Sequence, residues 1–104
     1  MAEMDGSSVI SAVNLVEVVS KLQDVGSSQP AIEAALRRVN LRVEAFSEAQ
    51  ALDAGLMRSA TRQQGLSLGD RACFALARTL GLPVLTADRI WTTLSLGVEV
   101  RSIR

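Results

Sequence analysis

The sequence predicts an α/β fold in which short strands alternate with helices. Three observations lead to this class: apolar residues recur at helical spacing in several segments, brief strand-like runs lie between them, and serines, glycines and prolines mark the boundaries. Strands separated by helical stretches are typical of βαβ units, whose strands pair in parallel. With 104 residues, the chain is expected to form a single domain spanning 1–104.

Four short strands are expected. The first and third are brief and apolar, and the second and fourth alternate apolar with polar residues, as half-buried strands do. Five helices accompany them, so the predicted sheet is thin and parallel. The predicted strands cover residues 8–10, 41–46, 84–86 and 98–103.

Most of the predicted helices begin at a recognisable start signal. Ser11 suits an N-cap and Pro30 suits a first turn, while Ser47 with Gln50 and Ser67 with Asp70 have the spacing of capping boxes. Glycines follow several of the helices, as C-terminal stop signals do. The predicted helices cover residues 12–25, 31–39, 47–64, 67–80 and 88–94, with glycine stops at Gly26, Gly65 and Gly81.

Composition narrows the chemistry. The chain has no histidine and one cysteine, Cys73, so histidine catalysis, an internal disulfide and zinc or iron sites are excluded. Acidic and basic residues balance at eleven each, which does not favour nucleic-acid binding by charge alone. No apolar run is long enough for a membrane span. We therefore expect a cytoplasmic protein without membrane contact.

Asp70 is the first candidate for chemistry. On a helix it shares a face with Cys73, Phe74 and Ala77, and a carboxylate above such an apolar stripe is costly unless something pairs with it. A metal ion would serve. The alternative, favoured by spacing alone, is that Asp70 only caps its helix and interacts with the helix dipole.

Asp88 and Thr86 form the second candidate. They stand at and just beyond the carboxyl end of the predicted strand 84–86, and ligands of open α/β sheets bind at that edge. The alternative is that Asp88 is an ordinary N-cap of the next helix. Pattern alone does not decide between the two.

Glu17 is the third candidate. It lies on the helix face opposite the apolar stripe, and the simplest interpretation is a solvated glutamate paired with Lys21 one turn later. If three acids met at one sheet edge, their oxygens would suit Mg²⁺ or Mn²⁺, because hard cations prefer oxygen ligands.

Three stretches resemble the PIN-domain ribonuclease toxins of the VapC type. They are Ile10-Ser11-Ala12-Val13-Asn14-Leu15-Val16-Glu17-Val18, Leu66-Ser67-Leu68-Gly69-Asp70-Arg71-Ala72-Cys73 and Leu85-Thr86-Ala87-Asp88-Arg89. The resemblance runs from about Ser8 to the end. It implies a three-layer α/β/α fold, with Glu17, Asp70 and Asp88 as metal-binding catalytic residues and Thr86 in support.

One departure from the family is large. The family opens with an apolar strand that ends in aspartate, followed by a helix, whereas little precedes Ser8 here and Asp5 is interpreted as loop. In the family that strand is central, between the strands matching 8–10 and 84–86. We therefore expect an N-terminally incomplete domain that lacks its central strand. Three explanations are open: the start of the sequence is assigned too late, the gene is truncated, or another chain supplies the strand.

The resemblance implies two functions. The first is a metal-dependent endoribonuclease, the toxin of a type II toxin–antitoxin system, with Mg²⁺ or Mn²⁺ bound, RNA as substrate, a protein antitoxin and a homodimeric assembly. Because one acid is absent, the chain as printed is expected to have weak or no nuclease activity. The alternative is a catalytically inactive remnant that binds the antitoxin or an intact partner chain.

Overall fold

A computed structural model gives the fold for residues 2–4, 7–39, 41–86 and 99–102. It confirms the α/β class. Within these ranges, five strands form one sheet in the order β3-β2-β1-β4-β5. The strands are β1 (Ala2–Met4), β2 (Ser7–Ser11), β3 (Leu41–Glu44), β4 (Val84–Thr86) and β5 (Val100–Ser102).

Helices connect and cover the strands. The predicted helix over residues 88–94 lies outside the described residues. The helices of the described ranges are α1 (Ala12–Asp24), α2 (Gln29–Arg38), α3 (Glu48–Leu56), α4 (Arg58–Thr61) and α5 (Leu68–Leu80). None of these helices combines the length and the apolar character that crossing a membrane requires.

The helix starts predicted at Ser11, Ser47 and Ser67 are confirmed, whereas α2 begins two residues before its predicted start, after an N-cap at Ser28. The hydroxyls of Ser11, Ser28, Ser47 and Ser67 each accept a backbone hydrogen bond in the first turn of the helix that follows. Helix α5 ends at Gly81, whose φ of 66° lies in the left-handed region that glycine adopts without strain.

The helix predicted over residues 47–64 is instead split into α3 and α4. The break falls at Met57, which is buried, and the amide and hydroxyl of Thr61 both donate to its carbonyl. The capping box predicted at Ser47 is also only half formed. Ser47 Oγ accepts from the Gln50 amide at 3.1 Å, but Gln50 Oε1 is buried and accepts no hydrogen bond from the described residues.

The main difference from prediction is strand β1. No strand was expected before Ser8, yet Ala2–Met4 pair with β2 in the register Ala2 to Val9 and Met4 to Ser7, and Ala2 also pairs with Val84 of β4. The strand therefore holds the central place of the sheet. It is antiparallel to both neighbours, whereas β2 with β3 and β4 with β5 pair in parallel as predicted. Asp5 lies outside the described residues.

The core is centred on α5. Its residues Ala72 to Ala77 are all buried, and Phe74 and Leu76 are the largest of the side chains that are almost fully enclosed. Cys73 is buried among them, as a small core residue would be. Val9 and Val84 pack in the same cluster, so the first turn of α5 has a fixed position relative to β2 and β4.

Candidate metal centre

Asp70 belongs to a complete capping box at the start of α5. Its Oδ2 accepts a hydrogen bond from the Ser67 amide at 2.8 Å, and its own amide donates to Ser67 Oγ at 3.1 Å. The capping interpretation is therefore realised in the structure. The box uses Oδ2 and leaves the second oxygen, Oδ1, outside it, so capping does not exclude the other predicted role as a metal ligand.

Glu17 does not form the pair with Lys21 that the simplest interpretation predicted. Among the described residues, its Oε1 instead accepts a hydrogen bond from Nδ2 of Asn14 at 3.1 Å. The carboxylate lies directly over Gly69, because a Cβ built on that glycine would overlap Oε1, Cδ and Oε2 of Glu17. The exposed acid of α1 is thus held against the first turn of α5.

Two of the predicted site residues lie at the same helix start. Glu17 lies against Gly69, and Asp70 is the next residue of α5. Asp88 lies outside the described residues, and within the described ranges no three acidic, histidine or cysteine side chains converge on one point. A site made of three acids stays a prediction.

The direction of the strands places the start of α1, the helix that carries Glu17, at the sheet edge where the sequence predicted a site. Strands β2 and β4 are both antiparallel to β1, so they run in the same direction and their carboxyl ends, Ser11 and Thr86, lie at one edge. Helix α1 begins at that edge directly after Ser11, which caps it and is fully buried. Thr86 ends β4 there.

Two residues of the site were not predicted. Asn14 bridges the helices, since its Nδ2 donates both to Glu17 Oε1 and to the Gly69 carbonyl at 3.0 Å. Gly69 is buried and leaves the space in which the carboxylate lies. The sequence separation of 55 residues explains why no local pattern revealed the contact.

The arrangement can bind a positive charge. The amino-terminal turn of a helix carries a partial positive charge that stabilises nearby carboxylates, so Glu17 and Asp70 can lie close together at the start of α5. Their carboxylate oxygens are hard donors that suit Mg²⁺ or Mn²⁺. The residues present therefore fit the type of metal that the sequence predicted.

Arginines of α5 fix the helix from its other side. Arg71 donates to the Ala54 carbonyl at 3.0 Å, and Arg78 forms an ion pair with Asp53 at 2.6 Å, so both join α5 to α3. These two cations serve packing between the helices.

A sheet flanked by helices, with Glu17 and Asp70 at the start of helix α5, defines an α/β domain with an acidic candidate site at that helix start. Comparison with protein families gives the particular family. The model of the PIN domain matches residues 1–95, and the chain therefore belongs to the PIN-domain family. The predicted resemblance is confirmed.

A solved structure shows the same fold. The chain is similar to one in the crystal structure of VapBC2 from Rickettsia felis bound to a DNA fragment from their promoter, with a TM-score of 0.71 and 15% identity over 92% of this chain and 74% of that one. Comparison with curated proteins found no match.

Proposed function

We propose that this protein is a metal-dependent endoribonuclease of the toxin–antitoxin type. The observation that carries the proposal is the juxtaposition of Glu17 and Asp70 at the start of α5, across Gly69. Membership of the PIN-domain family and the fold shared with a VapBC2 structure support it. The substrate is RNA, the inhibitor is a protein antitoxin, and the active assembly is a homodimer.

Glu17 and Asp70 hold the metal, and Asp88 completes the set of acids with Thr86 in support. Mg²⁺ or Mn²⁺ bound there supplies an activated water and stabilises charge on the cleaved phosphodiester. The chain's own part is to fix the acids: the capping box orients Asp70, and the contact with Gly69 and Asn14 orients Glu17. Acids that are already fixed need no rearrangement to bind a cation.

A second function is favoured by strand β1. Because β1 is antiparallel to β2 and β4, its last residue, Met4, lies beside Ser7 at the amino end of β2. The carboxyl end of β1 is therefore at the opposite edge from Ser11 and Thr86. The central strand thus brings no acid from its carboxyl end to the metal site, which supports an inactive protein that binds an antitoxin or an intact partner chain.

One experiment separates the two functions. Mn²⁺ affinity is measured by calorimetry and cleavage of a labelled RNA is measured in Mn²⁺, for the parent protein and for Asp70→Asn. An asparagine at this position still has an oxygen that can accept from the Ser67 amide, so the helix start is kept. For the endoribonuclease we expect weak but Mn²⁺-dependent cleavage in the parent, and in the variant a loss of Mn²⁺ affinity of at least about tenfold together with a loss of cleavage.

Asp53→Asn is the matched control, because Asp53 is an acid of α3 paired with Arg78 and lies outside the proposed site. It should leave Mn²⁺ affinity and cleavage unchanged. Binding of Mn²⁺ that is lost in Asp70→Asn but accompanied by no cleavage would support the inactive alternative. Cleavage that is equal in the parent and in Asp70→Asn would contradict the endoribonuclease.

A further inference from the structure

We propose that Asn14 is a positioning residue for the metal site, whose side-chain amide holds the Glu17 carboxylate on the first turn of α5. This inference rests on the proposed metal-dependent function and names a residue that acts through Glu17. Its basis is the pair of hydrogen bonds from Asn14 Nδ2, to Glu17 Oε1 at 3.1 Å and to the Gly69 carbonyl at 3.0 Å.

The chemistry of these partners fixes the orientation of the amide. Both Glu17 Oε1 and the Gly69 carbonyl are acceptors only, so the NH₂ group of Asn14 must face them and Oδ1 must face away. The two protons of one nitrogen therefore join an acid of α1 to the backbone of α5. A residue with a single donor could not bridge both acceptors in this way.

Two locally unfavourable features meet at this contact. Glycine is a poor helix residue, yet Gly69 lies in the first turn of α5. Oδ1 of Asn14 is buried and accepts no hydrogen bond from the part of the chain that the structure describes. Residues that serve packing alone usually satisfy these preferences, whereas functional sites violate them.

The geometry also gives the contact a direct consequence for metal binding. Glu17 is an exposed side chain with several rotatable bonds, and left free it would lose conformational entropy when it bound a cation. The Asn14 amide restricts it beforehand to the first turn of α5, to which Asp70 also belongs. Loss of the amide should therefore weaken metal binding while leaving the fold intact.

The test is a double-mutant cycle on Mn²⁺ affinity with Asn14→Ala, Glu17→Gln and the double variant, measured by calorimetry without RNA. We expect Asn14→Ala to weaken Mn²⁺ binding about fivefold, the change that corresponds to one net hydrogen bond. In the Glu17→Gln background the same substitution should have no further effect, because the carboxylate it positions is gone.

Gln29→Ala is the matched control, since Gln29 also donates a side-chain amide to a glutamate on its own helix, Glu33, at 3.3 Å. It should leave Mn²⁺ affinity unchanged. If Asn14→Ala does not fold, Asn14→Ser replaces it in the same cycle. Additive effects, or an Asn14 variant that binds Mn²⁺ as the parent does, would overturn this inference alone. A parent protein that binds no Mn²⁺ would overturn the proposed function as well.

Discussion

Gly69 is the residue whose replacement tests most directly where the Glu17 carboxylate lies. In Gly69→Ala the new Cβ would overlap that carboxylate, which is the far end of an exposed, flexible side chain and can move aside. Alanine is the better helix residue by about 1 kcal/mol. We therefore expect the free energy of unfolding to stay the same or rise by up to that amount, while Mn²⁺ affinity falls.

Gly55→Ala gives the comparison, because Gly55 lies in α3 and a Cβ there would meet no atom within 4 Å. Calorimetry with Mn²⁺ and urea unfolding are carried out on both variants. Gly55→Ala should gain stability with unchanged Mn²⁺ affinity. If Gly69→Ala bound Mn²⁺ as tightly as Gly55→Ala, the position of Glu17 over α5 would not matter for the metal.

Single residues also show the limit of prediction from sequence. Glu17 and Asp70 could be chosen in advance because acids within family-like motifs stand out. Asn14 and Gly69 could not, because their roles depend on a contact between α1 and α5 that no local pattern specifies. The alternative pairing of Glu17 with Lys21 is not formed, because Glu17 Oε1 accepts from Asn14 and its carboxylate lies over Gly69 of another helix.

At the scale of elements, the N-caps at Ser67 and Ser28 differ in strength. The box at Ser67 has both of its hydrogen bonds, and it begins the helix that carries most of the core. Ser67→Ala should lower the free energy of unfolding by about 1–2 kcal/mol, the upper part of the range for N-caps. Ser28→Ala should lower it by only about 0.5 kcal/mol, because Ser28 accepts one exposed bond at 3.3 Å.

Urea unfolding of both serine variants measures the difference. Equal losses would mean that the Ser67 hydroxyl, which accepts from the Asp70 amide, stabilises its helix no more than the Ser28 hydroxyl does. The starts of the helices were predictable because a cap is a local interaction among neighbouring residues. The break at Met57 was not, because it coincides with a buried residue whose carbonyl accepts twice from Thr61, which is a matter of packing.

At the scale of the whole molecule, four strands of the described sheet were predicted, but its central strand, β1, was not. The parallel pairing of β2 with β3 follows from the helices α1 and α2 between them. The parallel pairing of β4 with β5 was expected from the helix predicted over residues 88–94, which lies outside the described residues. Strand β1 escaped prediction because its sequence is short and partly polar. Two neighbouring strands with unpaired backbone groups stabilise even such a segment, since buried amides and carbonyls need partners.

This explanation gives a prediction for the centre of the sheet. Glu3 lies in the middle of β1 and pairs with Ser8. Proline at this position removes an amide donor from a central strand, so Glu3→Pro should lower the free energy of unfolding by at least about 2 kcal/mol. Glu48→Pro is the matched control, because Glu48 is the first residue of α3 and Ser47 before it is already extended, with ψ at 165°.

Glu48→Pro should lower the free energy of unfolding by no more than about 1 kcal/mol, which is what an acidic side chain in the first turn contributes to a helix. Urea unfolding of both variants measures the difference. A larger loss for Glu3→Pro would show that residues 2–4 themselves close the sheet between β2 and β4. Equal losses would mean that residues 2–4 do not form the strand between β2 and β4. The gap would then be filled by another strand, as the family pattern predicts, and a parallel strand there could carry an acid to the edge where Ser11 and Thr86 end their strands.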